Sequence, residues 1–321
     1  MRVLLWHVHG SWTTAFVQGQ HSYAVPVSAD RGPDGRGRAR TWDWPGSVVE
    51  VPLERLVEET FDIVILQRPE DLDLVRRWLK LEPGRFLPAI YVEHNTPRGR
   101  IPSTPHPMAE RSDIVVAHVT HFNALFWDTG RAPTTVIEHG VVDPGPQWTG
   151  ELARTAVVVN EPVRRGRVTG SDLIAGFARQ APVDVFGMRL AGLHEHYGCD
   201  PATVALYEDL PQHGLHAELA RRRVYVHPVR WTSLGLSLIE AMQLGMPVVA
   251  LGTTEAYEAV PPAAGRVSTD VDVLHLAVRE LMNDRAAAAA AGAAARSAAL
   301  SRYGLTRFLD DWDRLLKEVA R

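Results

Sequence analysis

Cysteine is almost missing from this chain of 321 residues: Cys199 stands alone. That excludes an internal disulfide framework and fits a reducing compartment. Lysine is nearly as scarce, since Lys80 and Lys317 are the only two among 34 basic residues, and arginine therefore carries almost all positive charge. There is no excess of that charge: 38 acidic residues give a formal net charge of -4, which argues against a dedicated nucleic-acid binder. No apolar run approaches the roughly 18 residues of a membrane-spanning helix. A charged and apolar leader with a cleavage site is also missing, because Met1-Arg2 runs directly into the strand-like Val-Leu-Leu-Trp, and the expectation is a cytoplasmic chain. Neither opening strand is followed by a Gly-x-Gly-x-x-Gly turn, which disfavours a dehydrogenase.

What is present is ordinary globular composition, 45% hydrophobic and 22% charged, in a chain long enough for two cores. Short apolar runs alternate with helical patterns, which predicts βα units and parallel sheets. In the first half the strand candidates are 3–6, 62–67, 88–93, 113–118 and 135–138, with helices at 53–59, 72–81 and 120–127. Residues 29–47, rich in Gly, Arg and Pro, read as an exposed loop. Asp-Pro-Gly-Pro within 142–150 marks a linker. The second half predicts strands at 156–160, 183–186, 224–227 and 247–251, and helices near 171–181, 215–221 and 236–244. The tail predicts helices at 271–283, 285–300 and 306–319, the middle one Ala-rich and therefore packed rather than disordered.

The densest chemistry lies in Arg230-Trp-Thr-Ser-Leu-Gly-Leu-Ser-Leu-Ile-Glu240, continued by Ala-Met-Gln-Leu-Gly-Met-Pro-Val-Val-Ala250. A polar turn ending in Gly235 opens a helix whose first amides, at Leu236 and Ser237, lack intrahelical acceptors. They sit at the positive end of the helix dipole, where an anion is stabilised. Glu240 follows one turn in, and its carboxylate can accept hydrogen bonds from a vicinal diol such as a ribose. An ordinary strand-helix-strand unit with a solvated Glu gives the same local pattern.

Because ligands of open α/β sheets bind beyond the carboxyl ends of the strands, residues there are the other candidates. His7, His9 and Gly10 follow the first strand, with Gly10 able to bring backbone close to a ligand. His94 follows the third candidate strand and has a side chain suited to either hydrogen-bonding role near neutrality, beside a Glu93 that reads as solvated if His94 is merely structural. His118 and His121 flank Thr120, a predicted helix N-cap. His7 with His9, and His118 with His121, have spacings open to a metal, but neither pair has a third ligand nearby in sequence, and no metal site is predicted. Past the linker, Asn160-Glu-Pro-Val-Arg164-Arg165-Gly166-Arg167 is a basic loop suited to phosphate.

The 230–250 segment resembles the donor-binding signature of GT-B glycosyltransferases of the retaining family 4 type, Glu-Gly-Phe-Gly-x4-Glu-Ala-Met-x-x-Gly-x-Pro-Val-Val-Ala. Gly235, Glu240, Ala241, Met242, Gly245, Pro247, Val248, Val249 and Ala250 match in register. Thr232 stands where the family has the Glu that contacts the donor sugar, and Ser233-Leu234 replace the next Gly-Phe. The resemblance implies two Rossmann-like, doubly wound α/β domains facing across a cleft. It places an acceptor-side domain at 1–145, a donor domain at 150–302, and a last helix, 303–321, packing back on the first domain. It implies donor contacts by Gly10, Arg164, Arg165, Arg167, Gly187, Thr232, Ser233, Leu234, Gly235, Leu236, Ser237 and Glu240, and sugar contact by His94. Arg165-Gly166 is the best match to the family's Lys-Gly clamp on the donor diphosphate, and Gly170 offers a second alignment.

The implied function is transfer of a sugar from a nucleotide-sugar donor, UDP- or GDP-linked, with retention and without metal or other cofactor. The acceptor is a small molecule, a glycan or a lipid-linked molecule, and peripheral membrane contact stays open. The competing readings are a catalytically inactive GT-B nucleotide-binding scaffold and a GT-B epimerase.

Overall fold

Short runs of Val, Ile and Leu become the central strands. A computed structural model describes residues 1–321, which divide into two units, Met1–Val142 with Leu305–Arg321, and Asp143–Gly304. In the first unit β1 (Arg2–Leu5), β2 (Ser22–Val27), β3 (Val48–Pro52), β4 (Ile63–Leu66), β5 (Ala89–Glu93), β6 (Val115–His118) and β7 (Thr134–Val136) form one sheet ordered β3-β2-β1-β4-β5-β6-β7. Every pairing is parallel. The Ile-Val-Ile-Leu of β4 is buried on both faces, as a parallel strand covered by helices requires. The core on one face gathers Leu4, Trp6, Val64, Leu66, Leu74 and Tyr91.

β2 and β3 have no counterpart in the sequence reading, for a physical reason. Pro26 lies inside β2, between β1 and β3, and proline normally argues against an interior strand because it lacks a ladder donor. The predicted helix at 53–59 is a 3₁₀ segment, Leu53–Glu58. α1 (Gly10–Phe16) was also absent from the reading: its Gly-Ser-Trp-Thr-Thr-Ala-Phe has low helix propensity and no side-chain cap. Packing holds it instead. Helices α2 (Glu70–Leu79) and α3 (His121–Phe126) follow the predicted pattern, with Thr120 Oγ1 accepting from Asn123 N at 3.1 Å as the N-cap of α3.

The second unit repeats the plan. β8 (Leu152–Val158), β9 (Val183–Gly187), β10 (Val204–Glu208), β11 (Arg222–His227), β12 (Val248–Leu251) and β13 (Gly265–Ser268) are parallel, ordered β10-β9-β8-β11-β12-β13. The two unforeseen strands, β10 and β13, are the edges, short and partly exposed, where apolar patterning is weakest. The helices here are α4 (Pro162–Arg165), α5 (Ile174–Ala178), α6 (Leu193–Tyr197), α7 (Gln212–Arg221), α8 (Leu236–Leu244), α9 (Ala256–Ala259), α10 (Val271–Asn283) and α11 (Arg285–Tyr303). The Ala-rich α11 is packed: Ala288, Ala291, Gly292, Ala295 and Ala299 are buried, and a Cβ on Gly292 would lie 2.0 Å from Gly245 O. Only a residue without a side chain allows that approach to the end of α8.

Below the sheet of this unit sits a buried charge cluster. Asp184 on β9 receives Arg222 Nε at 2.7 Å and Arg154 Nε at 2.6 Å, and the Arg222 guanidinium lies over the Phe186 and Tyr207 rings at 5.1 and 4.9 Å. The chain then returns to the first unit as α12 (Leu305–Val319). Trp312 meets Trp12 and Phe16 of α1 edge-on, with ring centroids 5.5 and 5.1 Å apart, an arrangement aromatic quadrupoles favour. Gly140 admits Phe308, since a Cβ there would stand 2.2 Å from Phe308 Cβ.

Each sheet reverses its strand order once, between β1 and β4 and between β8 and β11. Ligands of doubly wound sheets bind at such switch points, beyond the strand ends.

Candidate functional site

In the second unit the loops leaving β8 and β11 carry the nucleotide candidates. Beyond β11 the chain reaches Gly235, the extended N-cap of α8, which makes no side-chain cap bond. Leu238 N turns back to Gly235 O at 3.0 Å, whereas the amides of Leu236 and Ser237 have no backbone acceptor. Tyr225 on β11 donates its hydroxyl to Ser237 Oγ at 3.0 Å, tying the first turn of the helix to the sheet. His227, two residues further along the same strand face, packs under Gly235: a Cβ on Gly235 would sit 2.6 Å from His227 Cε1. Burial pushes the His227 imidazole down to about 4, so it is a neutral wedge.

Glu240 is not the solvated residue that an ordinary α/β unit would carry there. It is 4% exposed, with Oε2 placed 3.3 Å from His216 Nε2 on α7. Gln212 Nε2 meets the same His216 nitrogen at 2.9 Å. One edge of the carboxylate thus faces the His216 ring, at a nitrogen that the Gln212 amide also approaches. Ser233 and Leu234 are buried in the loop, and Thr232 and Gly235 are half-buried.

The arginine loop is docked on the same strand exit. Val168 O accepts the amides of Arg230 and Trp231 at 3.0 and 3.2 Å, and Gly170 presses on Pro228, where a Cβ would fall 1.8 Å from the carbonyl oxygen. Asp172 accepts from Arg167 Nη1 at 3.1 Å and from Arg230 Nη2 at 2.9 Å. Glu161, at φ 54°, pairs with Arg164 and accepts Arg189 Nη1 at 2.7 Å. Arg165, the last residue of α4, is half-buried, whereas Arg164 and Arg167 are exposed. Gly166 and Gly170 both adopt positive φ, 52° and 70°, so each alignable glycine is a real turn. Gly187 ends β9 against β8, a Cβ there lying 2.0 Å from Val159 O. On the far side, Thr253 Oγ1 donates to Val229 O at 2.7 Å, and Thr254 holds φ 51°, a strained setting for a β-branched residue.

In the first unit the structure corrects several sequence expectations. β1 ends at Leu5, so His7 and His9 do not share a strand face; His7 Nδ1 lies 3.1 Å from Gly37 O, while the His9 ring packs on the His94 ring at 3.9 Å. Gly10 opens α1, with Trp42 in ordinary contact beyond it. His94 is buried and bonded through Nε2 to Gln67 Oε1 at 3.1 Å. Gln67 Nε2 donates to Trp6 O at 2.8 Å, which leaves Oε1 to accept, so neutral His94 carries its proton on Nε2. Burial, then the neighbouring His9 and His139, hold its pKa well below the ordinary value. The side chain therefore cannot serve in either protonation state near neutrality.

Glu93 is buried too, accepting Asn95 N at 2.6 Å and lying 3.0 Å from His106 Nε2. His118 is a buried residue of β6 and His121 an exposed residue of α3, so they do not form a helical pair. Sequence reading missed His227, Tyr225, His216 and Gln67. The first two alternate along β11 beside the signature, a signal that becomes legible once Gly235 is known to need space. His216 and Gln67 come from elements with no motif.

Residues 199–298 match the family model of glycosyl transferases group 1. No sequence match was found among curated proteins. Sucrose-phosphate synthase of Thermosynechococcus elongatus is similar in structure, with TM-score 0.70 and 14% identity over 99% of this chain and 98% of that one. HepE of Anabaena in complex with UDP superposes with TM-score 0.69 and 14% identity over 99% of each chain. A variant of TarM from S. aureus, bound to fondaparinux, alpha-GlcNAc-glycerol and UDP, gives TM-score 0.64 and 16% identity over 79% of this chain, which spans 55% of its length. At such identities the likeness is one of fold. The chain has the two-domain α/β fold of GT-B glycosyltransferases, and through residues 199–298, which include Gly235 and Glu240, it is similar to the glycosyl transferases of group 1.

Proposed function

We propose that this chain transfers a sugar from a nucleotide-sugar donor to an acceptor, with retention of configuration and without a metal. The observation that carries the reading is the convergence at the β8/β11 switch point of two open helix amides, a docked arginine loop and a buried carboxylate. As the bond to the leaving diphosphate breaks, negative charge grows on its oxygens. The amides of Leu236 and Ser237 and the charge of Arg165 and Arg167 stabilise it without reorganising. Glu240 receives the ribose hydroxyls. UDP in the HepE and TarM complexes favours a uridine donor first and a GDP-linked donor second.

The carboxylates around the helix start are engaged: Glu161 with Arg164 and Arg189, Asp172 with Arg167 and Arg230. With no carboxylate there to act as nucleophile, a same-face displacement assisted by the leaving group fits better than double displacement. Neutral His94 would help hold the sugar, and Thr232 would meet its hydroxyls where a Glu is usual. The test is incubation with UDP-, GDP-, ADP- and TDP-sugars and an acceptor panel. Transfer or donor hydrolysis that Arg165→Ala abolishes supports the reading. Nucleotide binding without turnover on any donor would make the chain a binding scaffold instead.

A further inference from the structure

A second charged basin lies wholly within the first unit, beside the exit of β1. Its volume is about 460 Å³, and it is lined by His7, Asp30, Arg31, Arg36, Arg38 and Arg40. The loop that builds it is fixed at several points. Glu50 on β3 receives Arg31 Nη1 and Nη2 at 2.8 and 3.0 Å and Arg38 N at 2.8 Å. Gly37, at φ 67°, runs so close that a Cβ would stand 2.3 Å from Glu50 Oε1. Val27 and Arg36 form an isolated antiparallel bridge. The guanidinium of Arg38 is spent on the carbonyls of Trp44, Pro45 and Val48.

Two guanidiniums remain. Arg36 and Arg40 are exposed, project from this pinned backbone and make no side-chain hydrogen bond or ion pair. The single carboxylate of the basin, Asp30, is engaged by Ser28 Oγ at 2.5 Å and Gly32 N at 3.2 Å. Arg36 also lies close enough to His7 and His9 to disfavour their protonated forms, so its field reaches the turn that leads into Gly10. Chain ordering has already been spent on the loop, leaving two cationic forks open to solvent at a sheet switch point.

We propose that this basin binds the acceptor through a phosphate monoester, whose two negative charges match Arg36 and Arg40. The assignment rests on the glycosyltransferase reading: it makes the acceptor a phosphorylated small molecule or a lipid with a phosphate headgroup. Guanidinium forks match phosphate oxygens bidentately, and their charge persists at any physiological pH.

Calorimetric titration of the full chain with glycerol 3-phosphate, glycerol and UDP tests it, alongside the double variant Arg36→Ala/Arg40→Ala. Vesicles of phosphatidic acid against phosphatidylcholine form a second arm. The expected result is binding of glycerol 3-phosphate or phosphatidic acid but not of glycerol or phosphatidylcholine, weakened at least about tenfold in the double variant. The vesicle arm identifies the source: binding confined to phosphatidic acid assigns a lipid headgroup. Equal binding of phosphate and neutral ligands, or unchanged affinity in the double variant, overturns the proposal. UDP affinity that is unchanged in the double variant places UDP outside this basin; no UDP binding by the parent with phosphate binding intact faults the donor reading, and the reverse faults this one.

Discussion

Gly235→Ala isolates the device that presents the α8 amides. Gly235 has φ -70° and ψ 121°, a conformation any residue adopts, so backbone strain is not the issue. The obstacle is His227: the new methyl would lie 2.6 Å from Cε1. Ordinary carbon contacts lie near 3.5–4.0 Å, so roughly 1 Å of displacement is required. In a packed site such overpacking costs about 1–3 kcal/mol. The ring is buried at the end of β11 and the methyl lies at the N-cap, so the shift falls on the turn holding the Leu236 and Ser237 amides. Urea unfolding and UDP titration of Gly235→Ala, His227→Ala and the double variant form a cycle. Gly235→Ala should destabilise by about 1–3 kcal/mol in the parent but by under about 0.5 kcal/mol in the His227→Ala background. Additive losses would refute the wedge.

Asp184→Asn should destabilise the second unit by about 3 kcal/mol in urea melts, the low end for breaking a buried ion pair, because Arg222 keeps Glu218 as a partner; a change under about 1 kcal/mol would contradict the cluster's role. The first unit should weaken in acid. Burial holds His9 and His118 at about 4 against an ordinary 6.5. A depressed histidine stays neutral when folded and takes a proton when unfolded, so stability is complete above 6.5 and falls as pH drops towards 4. Between pH 7.5 and pH 5 the loss should be about 2 kcal/mol per group, read as a lower urea midpoint; an unchanged midpoint would contradict it.

Much of the fold was legible because central parallel strands are continuous apolar runs and long amphipathic helices carry their period openly. β4, β12, α10 and α12 are of this kind. The pieces that escaped are held by tertiary context. β2 tolerates Pro26, α1 survives poor propensity through Trp312, and β10 and β13 are edges. At the candidate site, Gly235 and Glu240 were readable because a helix start and a carboxylate one turn in are set by sequence distance. The placement of Glu240 beside His216 was not readable, since His216 comes from another helix. His94 was visible as a strand-end histidine, but its fixed tautomer depends on Gln67, 27 positions away.

The measurement closest to the central claim is the calorimetric affinity for UDP of the parent chain and of Glu240→Ala. A carboxylate hydrogen-bonded to a ribose contributes about 1.5–3 kcal/mol, so affinity should fall roughly 10- to 150-fold. Equal UDP affinity in the two proteins, or no binding of UDP, GDP, ADP or TDP by the parent, would contradict a nucleotide-sugar site at the head of α8.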